Sequence, residues 1–325
     1  MSTQGYVIHA QKIAEEIEPM LAHCATTLRP DMIAALEEAR FSETHEPAAR
    51  ILDQFLENAR IAQEEDVPLC QDTGSVYVLI EPDPGVSIMG DIYGSINEAV
   101  GKVWESQGLR ASMVRDGLID RSNTDDNTPA FIDIVYRSVQ ESDSKPMTKG
   151  MKGGTLGTSG IAAKGAATLP IPGASVSVML KGAGSDNASR VVMFNPADDV
   201  GAIEAALIDL VDKNAAVACP PMVIGIGIGS TFDKVAGLSK RALLRPLDQI
   251  QSNPELAVLE KRLLDAVNAT GRGPAGLGGD TTALRVLIET APCHIAALPV
   301  AINLGCSALR TRSLHIPATQ VSYSE

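Results

Sequence analysis

The sequence predicts a mixed α/β fold, of the α+β kind, in which a helical N-terminal segment precedes short mixed sheets flanked by helices. Apolar residues recur at helical spacing first and in short strand-like runs later, without strict alternation of the two element types. The 325 residues are 45% hydrophobic, enough for a sizeable core, and the 28 glycines and 19 prolines indicate many tight turns. We therefore expect one domain over residues 1–325, with the helical segment at 1–66 and the mixed part at 67–325.

Helical signals dominate the first part of the chain. Pro30 stands where the first turn of a helix tolerates proline, and a further helix is expected over Glu46–Glu65, with its apolar residues on one face. The apolar residues that recur at helical spacing before Pro30 are Ile8, Ile13, Ile17 and Leu21.

Short strands alternate irregularly with helices in the rest of the chain. Residues 143–172 are rich in Gly, Ala, Thr and Lys, which predicts a long flexible loop. The predicted strands are Ser75–Ile80, Ala130–Val139, Ser175–Leu180, Met222–Ile228, Leu284–Glu289 and Ile295–Leu304. The predicted helices are Asn97–Glu105, Asp198–Asn214, Phe232–Leu244 and Pro254–Asn268.

The charge of the chain excludes two classes of partner. The formal net charge is −13 and no run is rich in Lys or Arg, whereas nucleic acids and anionic membranes require a positive footprint. A small anionic substrate would need a few Arg and Lys residues to converge locally. The N-terminus lacks a charged start followed by an apolar run, and no stretch of about eighteen apolar residues occurs, so we expect a cytoplasmic protein without a membrane span.

Two glycine patterns do not meet the requirements of nucleotide sites. Gly225, Gly227 and Gly229 follow a predicted strand, but the third glycine is one position early for a dinucleotide fingerprint and no acidic ribose partner stands out. The stretch Gly157–Gly165 contains Lys164 but lacks the Gly-Lys-Ser/Thr ending of a phosphate-binding loop.

Five widely spaced cysteines argue against a disulfide framework, because their number is odd and the chain is large. Cys70, Cys219 and Cys306 each lie in a turn at the end of a predicted element, where functional groups are commonly held. No C-x-x-C pair occurs, which excludes a zinc ribbon or a ferredoxin run. Spacing alone favours buried packing cysteines, with a nucleophile or metal ligands as the alternatives.

Five motifs, in order along most of the chain, resemble those of the class I fumarase and tartrate dehydratase family, and specifically the α subunit of its two-subunit members. Each motif alone is weak, whereas the ordered set is specific. They are PLCQDTG (68–74), GLRASMV with RSNTDDNTP (108–114 and 121–129), KGAGSDN (181–187), ACPPMVIGIGIG (218–229) and CHIAALPVAINLGC (293–306).

The resemblance implies a [4Fe–4S] cluster held by the thiolates of Cys70, Cys219 and Cys306. Three protein ligands leave one iron open, and an open coordination position marks a catalytic metal site. That iron can act as a Lewis acid towards a carboxylate and a hydroxyl group. Cys24 and Cys293 match no ligand position, so we expect both to be packing residues.

The resemblance also implies two catalytic residues. Asp72 is the expected proton donor to the leaving hydroxyl, and its alternative is a turn satisfied by its own backbone. His294 matches a histidine close to the substrate, although a lone histidine beside an apolar strand is more often part of the core.

Further residues are implied to bind the substrate or to shape the pocket. Arg110 matches a carboxylate-binding arginine, and its alternative is a solvated surface arginine. The glycine-rich motif would let backbone amides approach a substrate oxygen. The implied substrate-binding residues are Gln71, Arg110, Gly182, Ala183 and Gly184, and Arg121, Asn123 and Asn127 are expected to shape the pocket.

Family members complete the site with a second domain or a β subunit, which supplies further Arg and Lys contacts and a Thr implicated as the base at carbon. We therefore expect the chain to be inactive alone and to pair with a β subunit, as an α2β2 assembly. Ala183 and Asp186 depart from the expected glycine motif, in which Gly and Glu stand at these positions.

The expected reaction is the reversible hydration of fumarate to malate, because the glycine motif looks closer to the fumarase branch. The alternative is the same chemistry on L-tartrate or on an alkyl-substituted dicarboxylate such as mesaconate. A non-catalytic electron-transfer or iron-storage subunit, or a plain scaffold subunit whose cysteines only pack, is a more distant alternative.

Overall fold

The computed structural model describes residues 3–136 and 171–323. The expected loop at 143–172 therefore lies outside the described residues, apart from its last two positions. The helices are α1 (Ala10–Thr26), α2 (Pro30–Ser42), α3 (Glu46–Glu65), α4 (Ile92–Ser106), α5 (Ala183–Asn187), α6 (Val200–Ala218), α7 (Phe232–Ala242) and α8 (Pro254–Asn268). The strands are β1 (Thr3–His9), β2 (Ser75–Pro82), β3 (Val86–Met89), β4 (Phe131–Ile134), β5 (Gly173–Lys181), β6 (Arg190–Phe194), β7 (Met222–Ser230), β8 (Ala283–Cys293), β9 (Leu298–Gly305), β10 (Arg310–Pro317) and β11 (Thr319–Tyr323).

Within the described ranges three small mixed sheets carry the fold, which confirms the predicted mixed α/β class. Their strand orders are β11-β1-β3, β10-β5-β2-β4 and β6-β9-β7-β8. Each sheet combines parallel and antiparallel pairs; β2, for example, runs antiparallel to β5 and parallel to β4. Consecutive strands often belong to different sheets, so the connections between sheets bring distant parts of the sequence to the same edge.

The N-terminal segment starts with a strand and not with a helix, so the interpretation of Ile8 as helical is wrong. Ile8 lies in β1, which pairs antiparallel with β11 and parallel with β3. Both partners are far away in sequence, so helical spacing read over a few residues could not reveal them. Helix α1 begins only at Ala10.

Helix α1 buries its apolar stripe as predicted, since Ile13, Ile17 and Leu21 are fully buried. They pack with α4 against one face of β2 and β5 and form the first hydrophobic core. A second core is built from α2, α3 and side chains of both four-stranded sheets, including Tyr77 on β2 and Val223 on β7. The two larger sheets are therefore held against each other, which fixes the relative position of their edges.

Most predicted elements are confirmed within one or a few residues. Helix α3 spans Glu46–Glu65 as expected. The predicted strand over Ala130–Val139 is shorter, at Phe131–Ile134, and its last three expected residues lie outside the described part. Strands β3, β6, β10 and β11 escaped prediction, because they are short or carry many polar residues. No helix in the described ranges is long and apolar enough to cross a membrane.

The glycines of β7 serve helix packing. A Cβ atom on Gly225 would lie 2.3 Å from the Ser239 carbonyl oxygen, and one on Gly227 would lie 2.6 Å from the Val235 carbonyl oxygen. Both contacted oxygens belong to the backbone of α7, so the helix lies directly on the glycine face of the strand. This close contact accounts for the pattern that superficially resembled a dinucleotide fingerprint.

We expect Gly227→Ala to lower the free energy of unfolding by about 1–3 kcal/mol, because backbone atoms cannot yield to the added methyl group as a flexible side chain would. Urea unfolding of the purified chain measures this change. Gly117→Ala is the matched control, since an added Cβ there would meet nothing within 4 Å. A cost for Gly227→Ala no larger than that of the control would contradict the packing role.

Candidate functional site

The turns that carry the sequence motifs meet where the edges of two sheets come together. Ser75, at the start of β2, pairs with Lys181, at the end of β5, so the turn that contains Cys70 lies next to the glycine-rich turn. In the neighbouring sheet Val223, near the start of β7, pairs with Gly305, at the end of β9. Cys219 precedes β7 and Cys306 follows β9, so these two cysteines flank the same sheet end.

A backbone hydrogen bond ties the second and third cysteines together. Cys219 caps the C-terminus of α6 in the left-handed region, with φ at 53°, which is uncommon for a residue other than glycine. Its carbonyl oxygen accepts a hydrogen bond from the Ser307 N–H at 3.0 Å, beside Cys306. The helix end and the turn after β9 are thereby held against each other.

Asp72 ties the first cysteine turn to the glycine-rich turn. Its Oδ1 accepts the Gly74 N–H at 3.0 Å, the expected turn within its own backbone. Its Oδ2 accepts the Ala183 N–H at 2.9 Å, across a long sequence separation. The carboxylate thus fills a local role and also bridges two motifs.

The glycine-rich motif, in turn, lies against the helix end that bears Cys219. A Cβ on Gly184 would lie 2.5 Å from the Val217 carbonyl oxygen, so only glycine allows α5 to approach α6 this closely. The Ala183 N–H is occupied by Asp72, and the space beside Gly184 is occupied by α6. Of the three residues predicted to approach a substrate oxygen, Gly182 is the one that lies directly beside the Asp72 carboxylate without a bond to it.

The motifs around Arg110 and Asn127 clamp the first cysteine turn from the other side. Thr73 donates its hydroxyl to the Arg110 carbonyl oxygen at 2.6 Å. Asn127 is fully buried, donates to the Gly74 carbonyl oxygen at 3.1 Å and accepts the Ser112 N–H at 2.7 Å. The Arg110 side chain is exposed, and its guanidinium has no hydrogen-bond partner among the described residues.

Arg121 and Asn123, which were expected to shape the pocket, make local hydrogen bonds in the structure. Both side chains are exposed, and each donates a hydrogen bond within its own loop, Arg121 to the Gly117 carbonyl and Asn123 to the Ala111 carbonyl. These bonds stabilise the loop that holds Arg110 in place.

The other two site cysteines and Asp72 act electrostatically on the Cys219 thiol. The pKa of the Cys219 thiol is raised, chiefly by burial and then by the negative charges of Cys306, Cys70 and Asp72. Cysteines bind metals as thiolates. The mutual repulsion of three thiolates favours the neutral thiols until a positive group compensates their charge.

Lys181 is a buried cation near Cys306, and the sequence motifs did not identify it as a site residue. Its ammonium donates to the Ser185 hydroxyl at 2.8 Å and to the Leu304 carbonyl at 2.7 Å, and it lies 3.7 Å from the Asp186 carboxylate. Burial lowers its pKa to about 8, partly opposed by the charges of Asp186 and Cys306. The sequence feature that could have identified Lys181 is its position directly after an apolar predicted strand.

The donors at this place are thiols, the ligand type that holds iron–sulfur clusters. Across residues 3–136 and 171–323, no three His, Cys, Asp or Glu side chains converge closely enough to hold one metal ion. In an iron–sulfur cubane each thiolate binds a different iron, so the protein sulfurs stand farther apart than around one ion. Cys70 and Cys219 are exposed and Cys306 is half-buried, so all three are accessible to such a group.

The other two cysteines lie away from this site. Cys24 is buried in the first core, where burial raises its pKa to about 12, as expected of a packing residue. Cys293 is exposed and donates to the Ala297 carbonyl at 3.3 Å, so the expectation that it packs in the core is wrong. It ends β8 at a turn that faces solvent.

The structure does not bring His294 to the cysteines. Cys293 pairs with Ser230 at the far end of β7, whereas Cys219 precedes the near end. The length of β7, Met222–Ser230, separates the two ends by about 26 Å at the usual rise per residue. His294 is exposed there, and its Nδ1 accepts the Ala296 N–H at 3.1 Å. Its catalytic role stays a prediction that this chain alone does not support by proximity.

Comparison with known proteins matches the part of the chain that carries these motifs to one family. A sequence profile of the family described as fumarate hydratase (Fumerase) matches residues 14–163 and 166–315. A Methanocaldococcus jannaschii protein provisionally named L(+)-tartrate dehydratase subunit alpha is 35% identical over 303 residues, covering 92% of this chain and 95% of that protein. The L(+)-tartrate dehydratase subunit alpha of Escherichia coli strain K12 is 26% identical over 308 residues, covering 94% and 91% of the two chains.

The family match spans all three cysteine turns, the Asp72 bridge and the glycine-rich motif, which the fold brings to one place. The relatives align over nearly their whole length and are α subunits by name. The chain therefore belongs to the fumarate hydratase (Fumerase) family, the iron–sulfur hydro-lyases of the class I fumarase and tartrate dehydratase type.

Proposed function

We propose that this chain is the cluster-bearing α subunit of a [4Fe–4S] dehydratase that removes water from L-tartrate or a closely related hydroxylated dicarboxylate. The observation that carries the proposal is the set of contacts that joins the turns of the three cysteines: the Asp72–Ala183 bond beside Cys70, and the bond from Ser307, beside Cys306, to the carbonyl of Cys219. Three thiolates and a nearby proton-carrying group are what an open-iron hydro-lyase site requires.

The names of the relatives favour tartrate over fumarate, and so favour the alternative over the reaction expected first. The preference for fumarate depended on the glycine-rich motif. In the structure Ala183 contributes its backbone N–H, which any residue except proline supplies, and Asp186 pairs with Lys181. Neither feature carries information on the substrate. Fumarate hydration stays as the second candidate because the family description names that activity.

Asp72, Arg110 and Gln71 have distinct roles in the proposed reaction. The cluster, when bound, supplies a Lewis acid with one open iron position. Asp72, fixed by two backbone N–H groups, passes a proton to the departing hydroxyl. The exposed guanidinium of Arg110 and the exposed amide of Gln71 bind polar groups of the substrate from either side of the turn.

The exposure of the site favours completion by a second subunit. Cys70, Gln71, Arg110 and Cys219 are all exposed, so within this chain the site lies open to water. Hydro-lyase chemistry benefits from a closed site, because water exclusion strengthens every charge interaction. We propose that a β subunit covers this surface, supplies the base at carbon and forms an α2β2 assembly. The names of the relatives, which denote α subunits, support this pairing.

We expect anaerobic reconstitution of the full chain to yield about four iron and four acid-labile sulfide atoms per chain. Cys70→Ser, Cys219→Ser and Cys306→Ser should each lose most of this content, because each removes one of three ligands. Cys293→Ser is the matched control, since Cys293 is equally exposed but lies at the opposite sheet end. Equal iron content in all four variants would rule out the assigned ligands.

We expect Asp72→Asn to lower kcat of the αβ complex by about 10²–10⁴-fold, the usual contribution of a positioned proton donor. Asn keeps one acceptor oxygen, which can serve the Gly74 or the Ala183 N–H but not both. The fall in kcat is therefore compared at equal iron content per complex, which separates loss of the proton donor from loss of the bridge. Asp199→Asn is the control, because Asp199 caps the far end of α6 and Asn caps helices equally well. Unchanged kcat in Asp72→Asn would leave Asp72 with only its bridging role.

We expect the reconstituted αβ complex to act on L-tartrate with a higher kcat/KM than on malate, fumarate or mesaconate. The readout is product formation from each substrate at matched enzyme concentration. A preference for fumarate and malate would reverse the order of the two candidates. A cluster-loaded complex that turns over none of the four would favour an electron-transfer or storage subunit, and an active complex that tolerates all three Cys→Ser changes would indicate a scaffold.

A further inference from the structure

Arg310 is a buried cation that the described structure leaves without a partner. It is the first residue of β10 and pairs with Leu180 on β5. Only 2% of its surface is exposed, and its Nε is buried without an acceptor. Its guanidinium forms no hydrogen bond or ion pair with any residue of 3–136 and 171–323. Buried charges are almost always paired, because desolvation without compensation is strongly unfavourable.

The guanidinium of Arg310 reaches the site beside Asp72. A Cβ built on Gly182 would lie 3.2 Å from the Asp72 Oδ2 and 3.9 Å from the Arg310 Nη2. The carboxylate and the guanidinium therefore both lie within 4 Å of the point where a Cβ of residue 182 would stand, yet they form no direct ion pair. Glycine at position 182 leaves that point, hereafter the gap, unfilled.

Glycine is present at position 182 for this space and not for its backbone conformation. Gly182 has φ at −67° and ψ at 144°, a conformation open to any residue. Its added Cβ would still meet Asp72 more tightly than an ordinary van der Waals contact. The gap is thus bounded by a carboxylate, a guanidinium and a residue that carries no side chain.

The neighbouring cations are already compensated, unlike Arg310. The charges of Arg312, Arg310 and Arg29 all act on the Cys24 thiol, so the three arginines lie on one side of the fold. Arg29 pairs with Asp31 at 2.7 Å, and Arg312 is exposed to solvent. Arg310 has neither kind of compensation, so an additional anion is what this position lacks.

We propose that Arg310 is a second substrate-binding residue, whose guanidinium donates hydrogen bonds to one carboxylate of the dicarboxylate in the gap above Gly182. The inference deepens the proposed function and rests on it. A planar guanidinium binds a carboxylate bidentately, and the bound carboxylate supplies the missing compensation. Arg110 on the surface and Arg310 in the interior then provide one arginine for each end of a dicarboxylate.

The test compares Arg310→Met and Arg310→Lys with Arg312→Met in the cluster-loaded αβ complex. Arg312 lies two residues further along the same face of β10 and is exposed, so it controls for loss of a positive charge. The readouts are iron content, the thermal midpoint with and without saturating L-tartrate, and the separate values of kcat and KM.

Arg310→Met should keep its iron and should unfold without ligand at or above the temperature of the wild type, because it removes an unpaired buried charge. The rise in thermal midpoint on adding L-tartrate should disappear, and KM should increase about 10- to 100-fold, the usual effect of losing a hydrogen bond to a charged group. Arg310→Lys should retain part of the ligand effect, and Arg312→Met should match the wild type.

Gly182→Ala tests the same gap with Arg310 intact. The added methyl group should raise KM, and combining it with Arg310→Met should raise KM by less than the product of the two single effects, because both changes remove one interaction. A rise in KM of the double variant equal to the product of the two single effects would contradict a shared gap.

Two results would overturn the inference while leaving the proposed function intact. Loss of iron in Arg310→Met would make Arg310 a counterion of the cluster. A lower unliganded midpoint with an unchanged tartrate effect would make it a structural residue. If the wild type itself shows neither stabilisation nor turnover with any dicarboxylate, the proposed function fails, and the role of Arg310 fails with it.

Discussion

The Asp72 carboxylate is the constraint on which the rest of the site depends. It fastens the turn of Cys70 to the start of α5 through the Ala183 N–H. Helix α5 can lie against the end of α6 because residue 184 is glycine, and the end of α6 presents Cys219. Cys219 in turn holds the turn of Cys306 through the Ser307 N–H. Three short contacts thus set the positions of three cysteines from distant parts of the sequence.

Local charge at the site opposes the charge of the whole chain. The protein carries a formal net charge of −13, yet Lys181 and Arg310 are both buried close to Asp72 and the thiols. Burying a cation is unfavourable unless an anion compensates it. Asp186 pairs with Lys181, and the proposed substrate carboxylate would compensate Arg310, so the interior cations and the proposed anionic ligands stabilise each other. Because the net charge is negative, an anionic substrate needs a local group of cations, and Lys181 and Arg310 provide one.

The sequence predicted local features well and the meeting of distant ones less well. Helix α3 has the bounds that its apolar face indicates, because that pattern is internal to the helix. Strand β1 could not be recognised, since its partners lie near the other end of the chain and around residue 88. His294 shares a motif with Cys306, but the intervening strand β9 carries the two to opposite sheet ends. Arg310 was not singled out, because only burial without a partner distinguishes it from a surface arginine.

Substrate identity follows from what this chain does and does not contribute. The contacts proposed for it are the Asp72 carboxylate, the Gln71 amide and two guanidinium groups, and the guanidinium groups suit any dicarboxylate of similar length. Specificity between an added hydroxyl and an unsaturated bond requires groups that pair with that hydroxyl. The residues around Gly182 offer no free backbone amide for this purpose at position 183, since Asp72 already occupies it. We therefore assign discrimination between tartrate and fumarate to the exposed amide of Gln71 together with the proposed β subunit, since the two arginines serve either dicarboxylate.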